Sequence, residues 1–352
     1  MSSKYSKQDE YLMRQALQEA ERGWGLCSPN PMVGAIIFKD GEELARGYHE
    51  RCGGAHAEIM ALQRVGELAR GAELYVTLEP CSSTGRTAPC VQAIIEAGIK
   101  RVNIGCLDSN PMHAGRGVKI LQQAGIETRA GLLEEDCRRL NEHFFWWIRE
   151  KRPFVYLKMA MSLDGKIALP DGSSKWITGP FARSQVQKLR RLAGAIMVGG
   201  QTLRCDDPSL LVNEPADWPM QPQVCIWSSK KPEPGDSYKI MQGGRSPALF
   251  IKPVGTEQWL EFLRQLGAKD CNFLLLEGGG ELAEAALSAG IVNKIGFFVA
   301  PKLILGRDAI PVVGGRSVKH LDQAIQVLEL KCENFGQDIL LSGYCQNVYR
   351  NN

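Results

Sequence analysis

The stretch from Gly53 to Cys90, GGAHAEIMALQRVGELARGAELYVTLEPCSSTGRTAPC, constrains this chain more than any other. A His-Ala-Glu triplet, His56 to Glu58, opens an apolar helical run. A short strand follows from Ala72 to Leu78, and Pro80-Cys81 and Pro89-Cys90 come directly after it. One imidazole and two thiolates form a soft, tetrahedral-preferring donor set suited to zinc. Three protein ligands leave the fourth position open to water, which is the stoichiometry of a catalytic centre rather than of a closed structural one. Glu58, two residues from His56, stays outside that set and is the candidate general acid and base. Eleven cysteines make some chance spacing inevitable, so the plain alternative is a helix-start histidine and two buried thiols. The order of elements favours the metal: H-x-E at a helix start, P-C after a strand, and P-C again before the helical run VQAIIEAGI.

That order matches the signature of zinc-dependent nucleoside and nucleobase deaminases, in which the Glu is not a ligand. Cytidine and transfer-RNA adenosine deaminases place two residues between the cysteines. This chain places eight, SSTGRTAP. The longer loop resembles the deaminase domain of the bifunctional riboflavin-biosynthesis deaminase/reductase family. The resemblance implies a cytidine-deaminase-like domain with a mixed sheet, expected over residues 1–150. It also implies that SPNPMVGA lines a pyrimidine pocket, with Asn30 touching the substrate and His49 of GYHERCGG beside it. Read without the resemblance, Asn30 is equally a turn asparagine fixed between two prolines, and His49 a surface loop histidine. Thr84, Gly85, Arg86 and Thr87 offer N–H groups, hydroxyls and one fixed cation that suit a phosphate. The alternative is a solvated loop, and the family likeness points to substrate binding at Arg86.

Local patterns give the first half its order. Tyr11, Leu12, Ala16, Leu17 and Ala20 recur at helical spacing between Gln8 and Arg22. A strand from Val33 to Phe38, a Lys-Asp-Gly turn and a second strand then lead to the metal helix. Further strands and helices alternate, with a strand at Arg101 to Leu107, a helix at Gly117 to Ala124, a short strand and one final helix. Such alternation indicates crossover connections and parallel pairing. Asp108, Asn110 and His113 fall in a connecting loop, and Phe144, Phe145, Trp146 and Trp147 read as core.

At 352 residues the chain suits two domains. A net charge of +3 leaves no electrostatic footprint for nucleic acid, and no apolar run approaches membrane-spanning length. The polar, then amphipathic start lacks a signal peptide's apolar core, so the expected location is the cytoplasm with reduced thiols.

Near Pro153 the character changes, and a second domain is expected over 151–352. Its sharpest feature is a buried strand, FLLLE, running into Gly278-Gly279-Gly280 and a helix that begins at Glu281-Leu282. Consecutive glycines and a helix N-terminus suit a pyrophosphate, although the triplet alone reads as a turn and is not a G-x-G-x-x-G fingerprint. KMAMSLDGKIAL, SKWITGP, VGGQTLRCDDPSL and LLLEGGGEL follow in the order of the reductase domain of the same family. That resemblance implies an α/β fold like dihydrofolate reductase. It places NADPH at Ala160, Trp176, Thr202, Asp206, Gly279, Gly280, Glu281, Leu282, Ala283, Glu284 and Ala285, and substrate at Ser174, Arg190, Leu210 and Glu277. Arg190 is the expected phosphate partner with Arg183 as a spare cation, and Asn213 stands where the family commonly has an arginine. Lys158, Asp206 and Glu277 are the polar candidates for proton transfer. Together the halves imply a phosphorylated pyrimidine substrate, a zinc ion, NADPH and a homodimer. The rival readings are a nucleic-acid deaminase with a reductase-like tail and a structural zinc protein that binds nucleotides.

Overall fold

The computed structural model describes residues 5–83, 89–110, 114–233, 235–242 and 246–349. The chain divides into two compact units, Met1–Arg149 and Glu150–Asn352.

The first unit begins with α1 (Lys7–Glu21), started by Ser6 in a reciprocal cap with Asp9. β1 (Gly34–Lys39) and β2 (Glu42–Tyr48) form a hairpin whose turn residues, Asp40 and Gly41, both have positive φ. α2 (Ala57–Val65), β3 (Glu73–Leu78), α3 (Cys90–Glu96), β4 (Arg101–Cys106), α4 (Arg116–Gln123) and β5 (Glu127–Ala130) follow, then α5 (Glu134–Leu140) and α6 (Glu142–Glu150). The strand order is β2-β1-β3-β4-β5, antiparallel on the hairpin side and parallel from β3 to β5. The sheet is therefore mixed, as expected. Ala57, Ala61, Val91, Ile94 and Leu121 bury α2, α3 and α4 against one face, and Leu12, Met13, Cys137, Phe144 and Phe145 bury α1, α5 and α6 against the other. A Cβ on Gly47 would stand 2.4 Å from Ala57 O, so only glycine lets the start of α2 settle on β2.

The one final helix expected is two, broken at Asn141. Its buried amide accepts from Met32 N–H and donates to Met32 O, both at 2.8 Å. The side chain serves as the hydrogen-bonding partner of the Met32 backbone, two residues before β1, and the helical path gives way there.

The second unit contains β6 (Phe154–Ser162), β7 (Lys166–Ala168), α7 (Pro180–Leu192), β8 (Ala195–Gly199), α8 (Gly200–Asp206), β9 (Gln223–Trp227), β10 (Leu249–Ile251), α9 (Gly255–Gly267), β11 (Phe273–Glu277), α10 (Gly280–Ser288), β12 (Lys294–Ala300), β13 (Ile310–Pro311), β14 (Leu328–Phe335) and β15 (Asp338–Tyr344). Eight strands form one sheet in the order β10-β9-β8-β11-β6-β12-β15-β14, parallel from β10 to β12. AIMVG and FLLLE are continuous apolar runs because parallel strands are covered on both faces. α9 and α10 cover one face through Trp259, Phe262, Leu263, Leu282 and Ala286, and α7 covers the other through Ala182 and Val186. The sequence patterns did not reveal α9 or the closing β14–β15 hairpin.

His143 is enclosed by the aromatic layer of α6, and burial pushes its pKa down to about 4, against the pull of Glu142. The unfolded chain, with an ordinary histidine pKa, binds the proton more readily, so stability is full above pH 6.5 and declines as pH falls toward 4. By pH 5 the loss is about 2 kcal/mol. His143→Gln is expected to flatten that decline, read from hydrogen exchange of β3 and β4 amides at pH 7 and 5; an unchanged slope would contradict it.

Candidate active sites

In the first unit, β3 ends at Leu78 and the chain turns through Pro80 to Cys81, while Pro89 leads into α3 with Cys90 as its first residue. His56 is the N-cap of α2. Three helix and strand ends thus bring His56, Cys81 and Cys90 together, with their ligand atoms all within 4.8 Å of one another. His56 Nδ1 lies 3.1 Å from Cys90 Sγ and 3.5 Å from Cys81 Sγ. A tetrahedral zinc with ordinary Zn–N and Zn–S bonds sets its nitrogen and sulfur ligands roughly 3.5 Å apart, so the trio fits the ion. Cys81 is drawn down to about 4 by a hydrogen bond from the Cys90 thiol, with His56 and the Cys90 N–H adding to it; Cys90 is correspondingly raised.

Glu58, only 3% exposed, follows in the first turn of α2. Burial raises its pKa, the His56 charge opposes this, and the Cys81 charge reinforces it. A carboxyl tuned upward in this way suits a group that takes and returns a proton. His49 is buried rather than on the surface. Its Nδ1 lies 3.0 Å from Ala55 O, which only accepts, so Nε2 is left to accept from Asn30 Nδ2 at 3.2 Å. Burial lowers the pKa of His49 and so favours this neutral form. The His49 and His56 rings meet edge to face at 5.3 Å, so Asn30, His49 and the donor trio form one contiguous group. Arg86, with Thr84, Gly85 and Thr87, lies outside the described residues, as does His113.

The second unit holds a cavity of about 1320 Å³ at the C-terminal ends of its parallel strands, centred where β11 returns between β8 and β6. Ligand clefts in open α/β sheets form at such reversals of strand order. Lys158, Ala160, Ser174, Trp176, Arg190, Thr202, Asp206, Leu210, Glu277 and the segment from Gly278 to Leu282 all line it. Gly278 and Gly279 have φ of 90° and 85°, and a Cβ on Gly279 would stand 3.1 Å from Thr202 Oγ1. Both the backbone conformation and the close approach require glycine there. The helix begins one residue earlier than expected, at Gly280.

Three expected cofactor residues do not reach the cavity lining. Ala283 is buried in the core, Glu284 accepts from the Ser288 hydroxyl at 2.8 Å, and Ala285 also lies outside the lining, because α10 carries them away from the cleft. Arg190 also has an occupation the sequence did not suggest. Its Nε and Nη2 donate to the two oxygens of Glu277 at 2.6 and 2.9 Å, and Nη1 donates to Leu211 O at 3.1 Å. Burial works against the Glu277 charge, but Arg190 and then Lys158 hold its pKa below the usual value. Lys158 is lowered by burial. Asp206 accepts from the Ser174 hydroxyl at 2.8 Å, and Arg183 stacks over Trp176 at 4.7 Å. Leu210, buried with φ +51°, lines the cavity from a loop. Sequence reasoning missed Arg204, Ser228, Lys230 and Lys252 in the lining; the available signal was a Ser-Ser-Lys-Lys run directly after an apolar strand.

Residues 6–106 match the cytidine and deoxycytidylate deaminase zinc-binding region, and residues 153–341 the RibD C-terminal domain. The riboflavin biosynthesis protein RibD of Actinobacillus pleuropneumoniae is 42% identical over 94% of this chain and 93% of its own length, and that of Escherichia coli 38% over 95% and 98%. Among solved structures, Acinetobacter baumannii RibD superposes with a TM-score of 0.86 at 35% identity, covering 96% of this chain and 99% of that one. A diaminohydroxyphosphoribosylaminopyrimidine deaminase/5-amino-6-(5-phosphoribosylamino)uracil reductase from Thermotoga maritima gives 0.85 at 32%, over 96% and 98%. The chain therefore belongs to the RibD family of riboflavin biosynthesis enzymes, with a zinc-binding deaminase domain followed by a reductase domain.

Proposed function

We propose that the first unit hydrolytically deaminates 2,5-diamino-6-(5-phosphoribosylamino)pyrimidin-4(3H)-one. The second unit then reduces the ribosyl group of the product with NADPH to give 5-amino-6-(5-phosphoribitylamino)uracil. The observation that carries this reading is the convergence of His56 Nδ1, Cys81 Sγ and Cys90 Sγ beside the buried carboxyl of Glu58. Those three side chains would hold a zinc ion, which when bound would acidify a water and so make it available as the nucleophile for ring C2. Glu58 would take the proton released from that water and deliver it to the ring nitrogen, then move the proton of the added hydroxyl to the departing amino group, which leaves as ammonia. Asn30, its amide fixed by neutral His49, presents a hydrogen-bonding edge to the pyrimidine.

NADPH bound in the second unit would supply the hydride for the ribosyl C1, with the C1–ring oxygen bond breaking and that oxygen taking a proton as the sugar opens. The open N–H groups at the start of α10, freed of side chains by Gly278, Gly279 and Gly280, hold its pyrophosphate. Ala160, Trp176, Thr202, Asp206, Glu281 and Leu282 border it, and Arg204, Lys230 and Lys252 attract its adenosine phosphate. Ser174, Leu210 and Glu277 face the ribosyl group, and Arg190 acts by orienting Glu277. Arg183, on the rim beside exposed Trp176, replaces the arginine that Asn213 does not provide as phosphate partner.

A homodimer is favoured by β14, an edge strand with seven of its eight residues exposed, Leu328 and Leu330 among them. An uncovered apolar edge is a template for a second strand.

Glu58→Gln is expected to lower ammonia release by about 10²–10⁴-fold, while zinc content and NADPH oxidation on supplied deaminated substrate stay at wild-type values; loss of both activities would count against separate sites. Gly279→Val is expected to weaken NADPH binding roughly tenfold or more, through backbone strain and the contact with Thr202, without affecting deamination. Titration calorimetry showing unaltered NADPH affinity would remove the pyrophosphate assignment. Light scattering is expected to give a dimer for the wild type and a monomer for Leu330→Asp; a monomeric wild type would end the dimer proposal.

A further inference from the structure

Glu79 is a buried carboxylate, 5% exposed, that the proposed chemistry does not use. It follows the last residue of β3, and its backbone N–H extends the pairing with β4 by donating to Cys106 O at 3.0 Å. Its side chain gathers the beginning of α4. Oε2 accepts from Gly115 N–H at 2.9 Å and from Asp108 N–H at 3.2 Å, and Oε1 accepts from Val118 N–H at 3.3 Å. Gly115 is the N-cap of α4 and Val118 its third residue, so the carboxylate satisfies donors that the helix leaves open, with the sign the helix dipole favours.

The contact continues past the carboxylate to the next residue. A Cβ on Gly117 would stand 2.3 Å from Pro80 O and 3.2 Å from Glu79 Oε1, so the helix start rests directly on the Pro80 carbonyl and the Glu79 side chain. Pro80 has a fixed φ and no N–H, which leaves little freedom between Glu79 and Cys81. On its other side Cys81 is held by α3: its O accepts from Val91 N–H and its Sγ from Cys90 N–H, each at 3.3 Å.

We propose that Glu79 is a positioning residue of the zinc centre. By anchoring the start of α4 to the residue before Pro80, it fixes the Cys81 thiolate in ligand geometry. This rests on the assignment of His56, Cys81 and Cys90 as the zinc ligands. Groups behind metal ligands typically change metal affinity or activity about 10–100-fold when they are removed.

The test uses the full chain, stripped of metal by a chelator and titrated with zinc against a chromophoric competitor, then with cobalt, whose absorption bands report ligand geometry. Glu79→Gln and Gly117→Ala perturb the contact from its two sides. Each is expected to weaken zinc binding about 10–100-fold and to alter the cobalt bands, while NADPH oxidation on supplied deaminated substrate is unchanged and confirms a folded chain. Wild-type zinc affinity and cobalt bands in both variants, with only a lowered melting temperature, would overturn the proposal and leave Glu79 a helix cap. Unaltered zinc affinity in Cys81→Ala would instead overturn the ligand assignment beneath it.

Discussion

The parallel pairing of β3 with β4 is the constraint on which the deaminase half depends. It runs in register from Glu73 opposite Arg101 to Leu78 opposite Cys106; Glu79 N–H adds one more bond to Cys106 O, and the next donor on the β4 side, Asp108 N–H, goes to the Glu79 side chain. The chain must leave the sheet at that point, and the neighbouring α2 and α3 present their N-termini to the place where it does so. A helix start is where backbone donors are unpaired and a thiolate is electrostatically welcome. Cys90 as the first residue of α3 and His56 as the N-cap of α2 therefore meet Cys81 in surroundings that already favour its negative charge. The meeting of the three donor atoms follows from how one strand ends.

The reductase half places its cleft by the same logic and fills it differently. β11 lies between β8 and β6, so Glu277 at its end is the register partner of Lys158, and Arg190 of α7 closes on Glu277 with two hydrogen bonds. A buried charge of either sign alone would carry a large desolvation cost; grouped, the three side chains offset one another. The arrangement consumes the guanidinium that the sequence offered to a phosphate. In the proposed site, phosphate recognition thus shifts outward to Arg183 on the rim, where salt screens the interaction, and the buried group is left to shape the part of the cleft nearest the reacting carbon.

The deaminase centre was largely legible in the sequence because metal ligation demands particular atoms. Only a few side chains supply a soft sulfur or an imidazole nitrogen, and their order along the chain survives folding. The mixed sheet and the hairpin at Asp40-Gly41 were legible too, since alternation and turn residues are local signals. Asn141 was not: its role is to partner Met32, a residue 109 positions away, and nothing beside it in sequence announces that. The β14–β15 hairpin escaped notice although LELKCENF alternates apolar and charged residues through Leu328, Leu330 and Cys332, since it lacks the continuous apolar run of a parallel strand covered on both faces.

The cofactor cleft was legible only in outline, for a physical reason. Nucleotides are held largely by backbone N–H groups and by the absence of side chains, so the sequence records glycines and little else. Helical rotation turns Ala283 into the core and Glu284 toward Ser288, so of the segment from Gly279 to Ala285 the residues through Leu282 line the cleft. The pairing of Arg190 with Glu277 joins residues 87 positions apart, and either one read alone appears available to a ligand. Side chains that bind by charge or atom type declare themselves locally. Side chains that act by holding another, as Arg190 holds Glu277, become visible only when the partner is placed beside them.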